Sequence, residues 1–132
     1  MLAVRLAAAA LVLAAIGAPA AAVGLGPLSA SGITGTERKG FYLTLINPFP
    51  KAGRFRVYST AWDSEQPAAR VLIPVARPIV GPNSRRRVLV IATGLQPGEL
   101  HSFRVCAERV DRSGESLIHA RVCSKLTARR VA

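Results

Sequence analysis

From residue 23 onward, apolar and polar positions alternate in short runs broken by Gly, Pro, Asn and Ser. No run holds a helical period over the roughly 10–12 residues that would mark a helix, whereas alternation at every second position marks strands with one buried face. Residues 41–46 are the clearest case: Phe41, Leu43 and Leu45 share one face and Tyr42, Thr44 and Ile46 the other. The Pro- and Gly-containing stretch 47–53 then forces a turn. Over 54–62, Phe55, Val57, Ser59 and Ala61 face one way, and Arg54, Arg56, Tyr58, Thr60 and Trp62 the other. An opening strand at 23–31, interrupted by Gly24, Gly26 and Pro27, belongs at a sheet edge. Further strands are expected at 71–80 (broken by Pro74 and Pro78), 86–91, 101–109 and 117–126, with turns at 81–84, 95–98 and 111–114. Seven strands in about 110 residues predict an all-β, immunoglobulin-like sandwich, one domain over 23–132.

The first 22 residues follow a different pattern. A short start with a single charge at Arg5 leads into the unbroken apolar run 6–16 and then a small, uncharged stretch ending at Ala22 with Ala-x-Ala sites. That order predicts a secretory signal peptide over 1–22. The apolar run is about half the length that crosses a bilayer, and no later run suggests a membrane span in the mature chain. The expected location is therefore periplasmic or secreted.

Charge changes the picture next. The full chain carries 18 Lys+Arg against 7 Asp+Glu, a net +11, and loss of Arg5 with the leader makes it +10. In an exported protein such a balance favours an anionic surface or an acidic protein over nucleic acid, which is not expected as a partner. The basic residues are scattered; only Arg85, Arg86 and Arg87 form a run, and few aromatics interleave with it. A solvated basic surface without a specific ligand is the plain alternative.

Cys106 and Cys123 are the only cysteines, an even count that favours a disulfide outside the cytosol. Phe103, Val105 and Ala107 form the inward set of one strand and Ile118, Ala120 and Val122 that of the next, so both cysteines point outward. A hairpin centred near 114–115 sets them opposite each other, at disulfide distance. Two free thiols are the alternative. His101 and His119 show no ligand spacing with the cysteines, so neither a metal site nor a cofactor is expected. The chain has no Gly-x-Ser-x-Gly, no Gly-rich phosphate loop and no His-Glu-x-x-His, and its acidic residues mostly flank turns. No catalytic residues are assigned, and the chain is not expected to be an enzyme.

Several stretches carry resemblances to two families. Phe41-Tyr-Leu-Thr-Leu-Ile-Asn47-Pro48 resembles the Asn-ended strand in the N-terminal domain of periplasmic pilus-assembly chaperones. Ile73-Pro74 through Pro78, then Gly81-Pro-Asn-Ser-Arg-Arg-Arg-Val88, is similar to that family's Pro-containing strand, turn and basic–apolar strand. His101-Ser-Phe-Arg-Val105 resembles the strand after it. The resemblance implies binding by strand addition, in which an exposed seventh strand lends alternating apolar residues to an incomplete pilin-like subunit. It implies a basic anchor for the subunit's terminal carboxylate. Lys125, near the end of the last strand, matches the family's lysine, and Arg121 lies close enough to assist; edge charges that merely discourage pairing are the alternative reading. The family's first-strand arginine has no counterpart in Val23-Gly-Leu-Gly-Pro-Leu28, and its second domain is not matched.

The second resemblance covers less. Leu95-Gln-Pro-Gly-Glu-Leu-His101-Ser-Phe-Arg-Val105 and Gly114-Glu-Ser116 resemble the last strands of fibronectin type III domains, although His101 stands where that family has Tyr. It implies a basic adhesion module for anionic glycan or surface lipid. The first expectation remains an exported, non-catalytic domain that binds a protein through its sheet edge.

Overall fold

The computed structural model describes residues 23–110 and 120–132. The expected leader and the tip of the last hairpin, 111–119, lie outside the described residues. Two sheets stack face to face. The first, sheet A, contains β1 (Gly24–Gly26), β3 (Lys39–Asn47), β7 (Ser84–Ala92) and β5 (Val71–Leu72), adjacent in that order and antiparallel. The second, sheet B, runs β2 (Ser29–Thr34), β9 (Arg121–Arg130), β8 (Leu100–Arg109), β4 (Gly53–Ala61) and β6 (Ile79–Val80). Within sheet B, β2 lies parallel to β9 and the other pairs are antiparallel. The all-β sandwich read from the alternation is therefore the fold.

The strand inventory differs at two proline-containing stretches. The single opening strand expected at 23–31 is two strands in different sheets: the chain leaves β1 at the cis Gly26–Pro27 peptide and enters sheet B as β2. The extended 71–80 segment likewise splits, β5 pairing with β7 and β6 with β4. Proline lacks the N–H that a ladder needs, so a strand that meets Pro27 or Pro74 can continue only by changing partners. The expected seven strands become nine segments among the described residues.

The core lies between the sheets. Phe41, Leu43 and Leu45 of β3 and Val88 and Val90 of β7 face Phe55 and Val57 of β4, Phe103 and Val105 of β8 and Leu126 of β9. Phe41 meets Phe103 edge-to-face, with ring centroids 6.3 Å apart at 78°. Each fully buried side chain of this size contributes about 2–3 kcal/mol of hydrophobic stabilisation. Asn47 closes β3 and is also fully buried. Its Nδ2 donates to the carbonyls of Lys51, Val80 and Gly81 at 2.9, 3.1 and 2.9 Å, and its Oδ1 accepts from the Phe49 N–H at 3.0 Å. One side chain thus ties the β3–β4 turn to the β6–β7 turn, where Asn83 takes a positive φ of 50° that asparagine tolerates.

Thr60 and Ala120 depart from simple alternation. Thr60, on the outer face of β4, is buried because Arg104 crosses it, Nε to Oγ1 at 3.1 Å, and Pro67 bridges beside it. Ala120, expected among the inward set, precedes β9 and is exposed.

Candidate functional site

The last strand is where the sequence places partner binding. β8 accompanies β9 from Arg121 (opposite Glu108) to Arg129 (opposite Leu100) in one unbroken register. That register sets Cys106 opposite Cys123, and the two sulfurs are bonded at 2.10 Å with Cα atoms 4.0 Å apart. The disulfide therefore staples β8 to β9, as the alternation requires. Cys106 points outward yet is fully buried, because it sits within the sheet between Tyr58 of β4 and Cys123.

On its other side β9 is only partly covered. β2 begins at Ser29, opposite Lys125, and follows β9 to Arg130. The Lys125 N–H donates to the Leu28 carbonyl at 2.8 Å. Backbone groups of alternate residues point the same way, so those of Cys123 and Arg121 face this side too. No described strand lies there. The expectation of a wholly exposed last strand is thus corrected: β2 covers β9 from Lys125 onward, and 121–124 is the part that no described strand covers, so Lys125 stands in mid-strand where β2 starts. Beside this edge, Val122 is half-buried and Ser124 buried, the latter donating from Oγ to the Pro27 carbonyl at 2.7 Å.

The two predicted basic residues differ in their surroundings. Lys125 is exposed, flanked by Ser29 and Arg104, and its Nζ lies 5.4 Å from the ring centroid of Trp62, itself 45% exposed. Among the described residues it has no ion pair. Arg121 is engaged within the chain. It grips the Glu65 carboxylate with both guanidinium ends at 2.7 Å, and Nη1 also donates to the Tyr58 hydroxyl at 3.1 Å. Glu65 takes a further bond from Arg104 at 3.1 Å. The Arg121 guanidinium first, with Arg104 in support, holds the Glu65 carboxyl at about 2, against a smaller opposing desolvation. The same pairing raises Arg121 above the usual arginine range.

Sequence reasoning missed Glu65 and Arg104. Glu65 sits in a loop 56 positions from Arg121, and no local pattern connects the two. Tyr58 and Trp62 share the outer face of this region as expected, Tyr58 half-covered with the Arg56 guanidinium 4.4 Å from its ring centroid. His101 donates from Nε2–H to the Ala69 carbonyl, 2.9 Å away, and packs on Phe103; His119 lies outside the described residues. Among the described residues no three His, Cys, Asp or Glu side chains gather as metal ligands, and no helix is long and apolar enough to cross a membrane.

No protein-family model matches the chain, and no curated protein matches it in sequence. Solved structures do match in fold. The Salmonella enterica SafA pilin in complex with the SafB chaperone aligns at 22% identity and a TM-score of 0.70, covering 84% of this chain and 55% of that one. The E. coli chaperone DraB aligns at 16% identity and 0.66, covering 83% and 55%. PapD-like domain 7 of human CEP192 aligns at 12% identity and 0.66, covering 84% and 86%. The resemblance to fimbrial chaperones is thus one of fold, and the chain spans about half the length of the chaperones it matches.

Proposed function

We propose that this chain is an exported, non-catalytic domain of the periplasm that holds a pilin-like protein by strand addition along the 121–124 edge of β9. The observation that carries this reading is the staggered cover of β9: β8 runs its length, while β2 starts only at Lys125. A partner strand finds the backbone groups of Cys123 and Arg121 unpaired by any described strand, and it must stop where β2 begins. Lys125 marks that stop with a cation that no carboxylate of the described chain balances, suited to a partner's terminal carboxylate. Arg121, its charge already matched by Glu65, borders the site without serving as a second anchor. The disulfide keeps β9 registered against β8 while its free side works. Support comes also from the fold's match to structures that pair such domains with a pilin or a tip subunit.

The test is capture of partner from the exported fraction, comparing the native chain with Lys125→Glu. Backbone pairing supplies main-chain hydrogen bonds that salt does not screen, so capture should persist at moderate ionic strength and fall at least tenfold with Lys125→Glu. Retention that disappears with salt in the native chain would refute strand addition.

A further inference from the structure

Sheet A has an open edge of its own. β5 accompanies β7 only at Ile91 and Ala92. The Thr93 N–H donates to the Arg70 carbonyl on that side at 2.8 Å, so the backbone groups of odd-numbered β7 residues face it. Leu89, Arg87 and Arg85 continue the same line beyond the end of β5. Continued pairing would bring Pro74, which has no N–H, opposite Leu89; the chain instead departs for sheet B, where the Ala76 and Pro78 carbonyls accept from Val57 and Phe55 at 2.8 and 3.0 Å. β3 covers the other side of β7, but on this side no described strand or loop pairs with it over 85–89.

The Arg85-Arg86-Arg87 run lies on this edge. All three are exposed. Arg85 and Arg87 share the outer face of the sheet, and Arg87 is fixed there with its guanidinium 4.2 Å from the Tyr42 ring centroid. Arg86, on the opposite face, donates to the Ile79 carbonyl at 3.1 Å. None of the three has an ion pair among the described residues. No residue of β1, β3, β5 or β7 carries a carboxylate, and the stretch 66–98 contains neither Asp nor Glu.

We propose that the 85–89 edge of β7 is a second strand-addition site, selective for an extended segment of an acidic protein with carboxylates at alternate positions. Positions two apart on a strand lie on one face, about 6–7 Å from each other, so one acidic face meets both Arg85 and Arg87. Like charges directly opposite destabilise a strand pair and opposite charges stabilise it. The arginines that turn away a second copy of this basic chain therefore admit an acidic strand, excluding one partner class by the same feature that accepts another. This site lies on a different sheet from the β9 edge and does not depend on it.

The experiment titrates the full isotopically labelled chain, at low ionic strength, with a synthetic peptide alternating Glu with Val. Its Glu-to-Gln counterpart and a backbone N-methylated version of equal charge are run beside it. The Glu peptide should slow amide exchange at Arg85, Arg87 and Leu89. The Gln peptide, or the exposed double variant Arg85→Thr with Arg87→Thr, should bind about tenfold more weakly, the sum of two cross-strand charge pairs. Equal binding of the N-methylated peptide would overturn the proposal, leaving attraction without pairing. Protection confined to Arg121 and Cys123 would also overturn it, assigning acidic strands to the β9 edge. Self-association of the double variant, with no peptide binding to the native chain, would reduce the arginines to guards and likewise overturn it.

Discussion

Replacing Asn47 with leucine removes the side-chain polar groups and leaves their partners in place. The four partners are the Phe49 N–H and the Lys51, Val80 and Gly81 carbonyls, all within 3.1 Å. Val80 is 1% exposed, so its carbonyl gains little from water once Asn47 is gone. An orphaned buried group costs about 1–3 kcal/mol, and each bond that water can replace costs about 1 kcal/mol. With the Val80 carbonyl orphaned and the other three bonds replaced by water, the total comes to about 4–6 kcal/mol, a large share of the roughly 5–15 kcal/mol that stabilises a domain. Leucine keeps the forked shape of asparagine with bulkier methyl ends, so no cavity opens, and the smaller alanine variant controls for crowding. Urea denaturation of native, Asn47→Leu and Asn47→Ala chains, disulfide intact, measures it. Leucine should do no better than alanine, with a loss near the stated size in both. A leucine variant within about 1 kcal/mol of native would refute the assignment of the energy to these bonds. Because Asn47 also anchors the β6–β7 turn that leads into Arg85, amide exchange at Asn83 should rise in the same variants, since the Asn83 N–H donates to the Phe49 carbonyl.

Three further outcomes are expected. Glu65 and Glu99 are each held at about 2, by Arg121 and by Arg70 respectively, below their ordinary value of 4.5; their pairing therefore supports the fold above about pH 4.5 and is lost as pH falls toward 2, and a Glu65→Gln, Glu99→Gln double variant should show a flatter stability profile in that window than the native chain. The disulfide closes a 17-residue separation, so replacing both Cys106 and Cys123 with alanine should cost about 3 kcal/mol by chain entropy, read from the denaturation midpoint of oxidised native and variant chains; an unchanged midpoint would contradict it. Gly94 has φ of +62°, and a side chain there would stand 3.2 Å from Arg70 Cδ, so Gly94→Ala should lose about 1–2 kcal/mol in the same assay; a stabilised variant would count against the left-handed conformation.

Much of the fold was legible along the chain because it depends on short-range pattern. The Phe41, Leu43, Leu45 alternation places β3's inner face, and the prolines at 27, 74 and 78 mark where pairing breaks, although only the fold shows that the chain changes sheets there. The cysteine pair followed from alternation in two neighbouring strands and their shared turn, a contact only 17 positions apart. Lys125 was singled out by resemblance, but its place at the end of a free edge depends on where β2 starts, nearly a hundred positions away in the chain.

The order of residues by itself thus determined the two-layer β architecture, the facing of its best strands and the bond between the cysteines. Tertiary structure alone decided which edges stay open among the described residues, that Glu65 absorbs the charge of Arg121, and that the arginine run lies where β7 has β3 on one side and no described strand on the other. The physical reason is one of range. Alternation records which side of a strand is buried, but an edge is open or closed according to what distant segments leave uncovered, and only their packing fixes that.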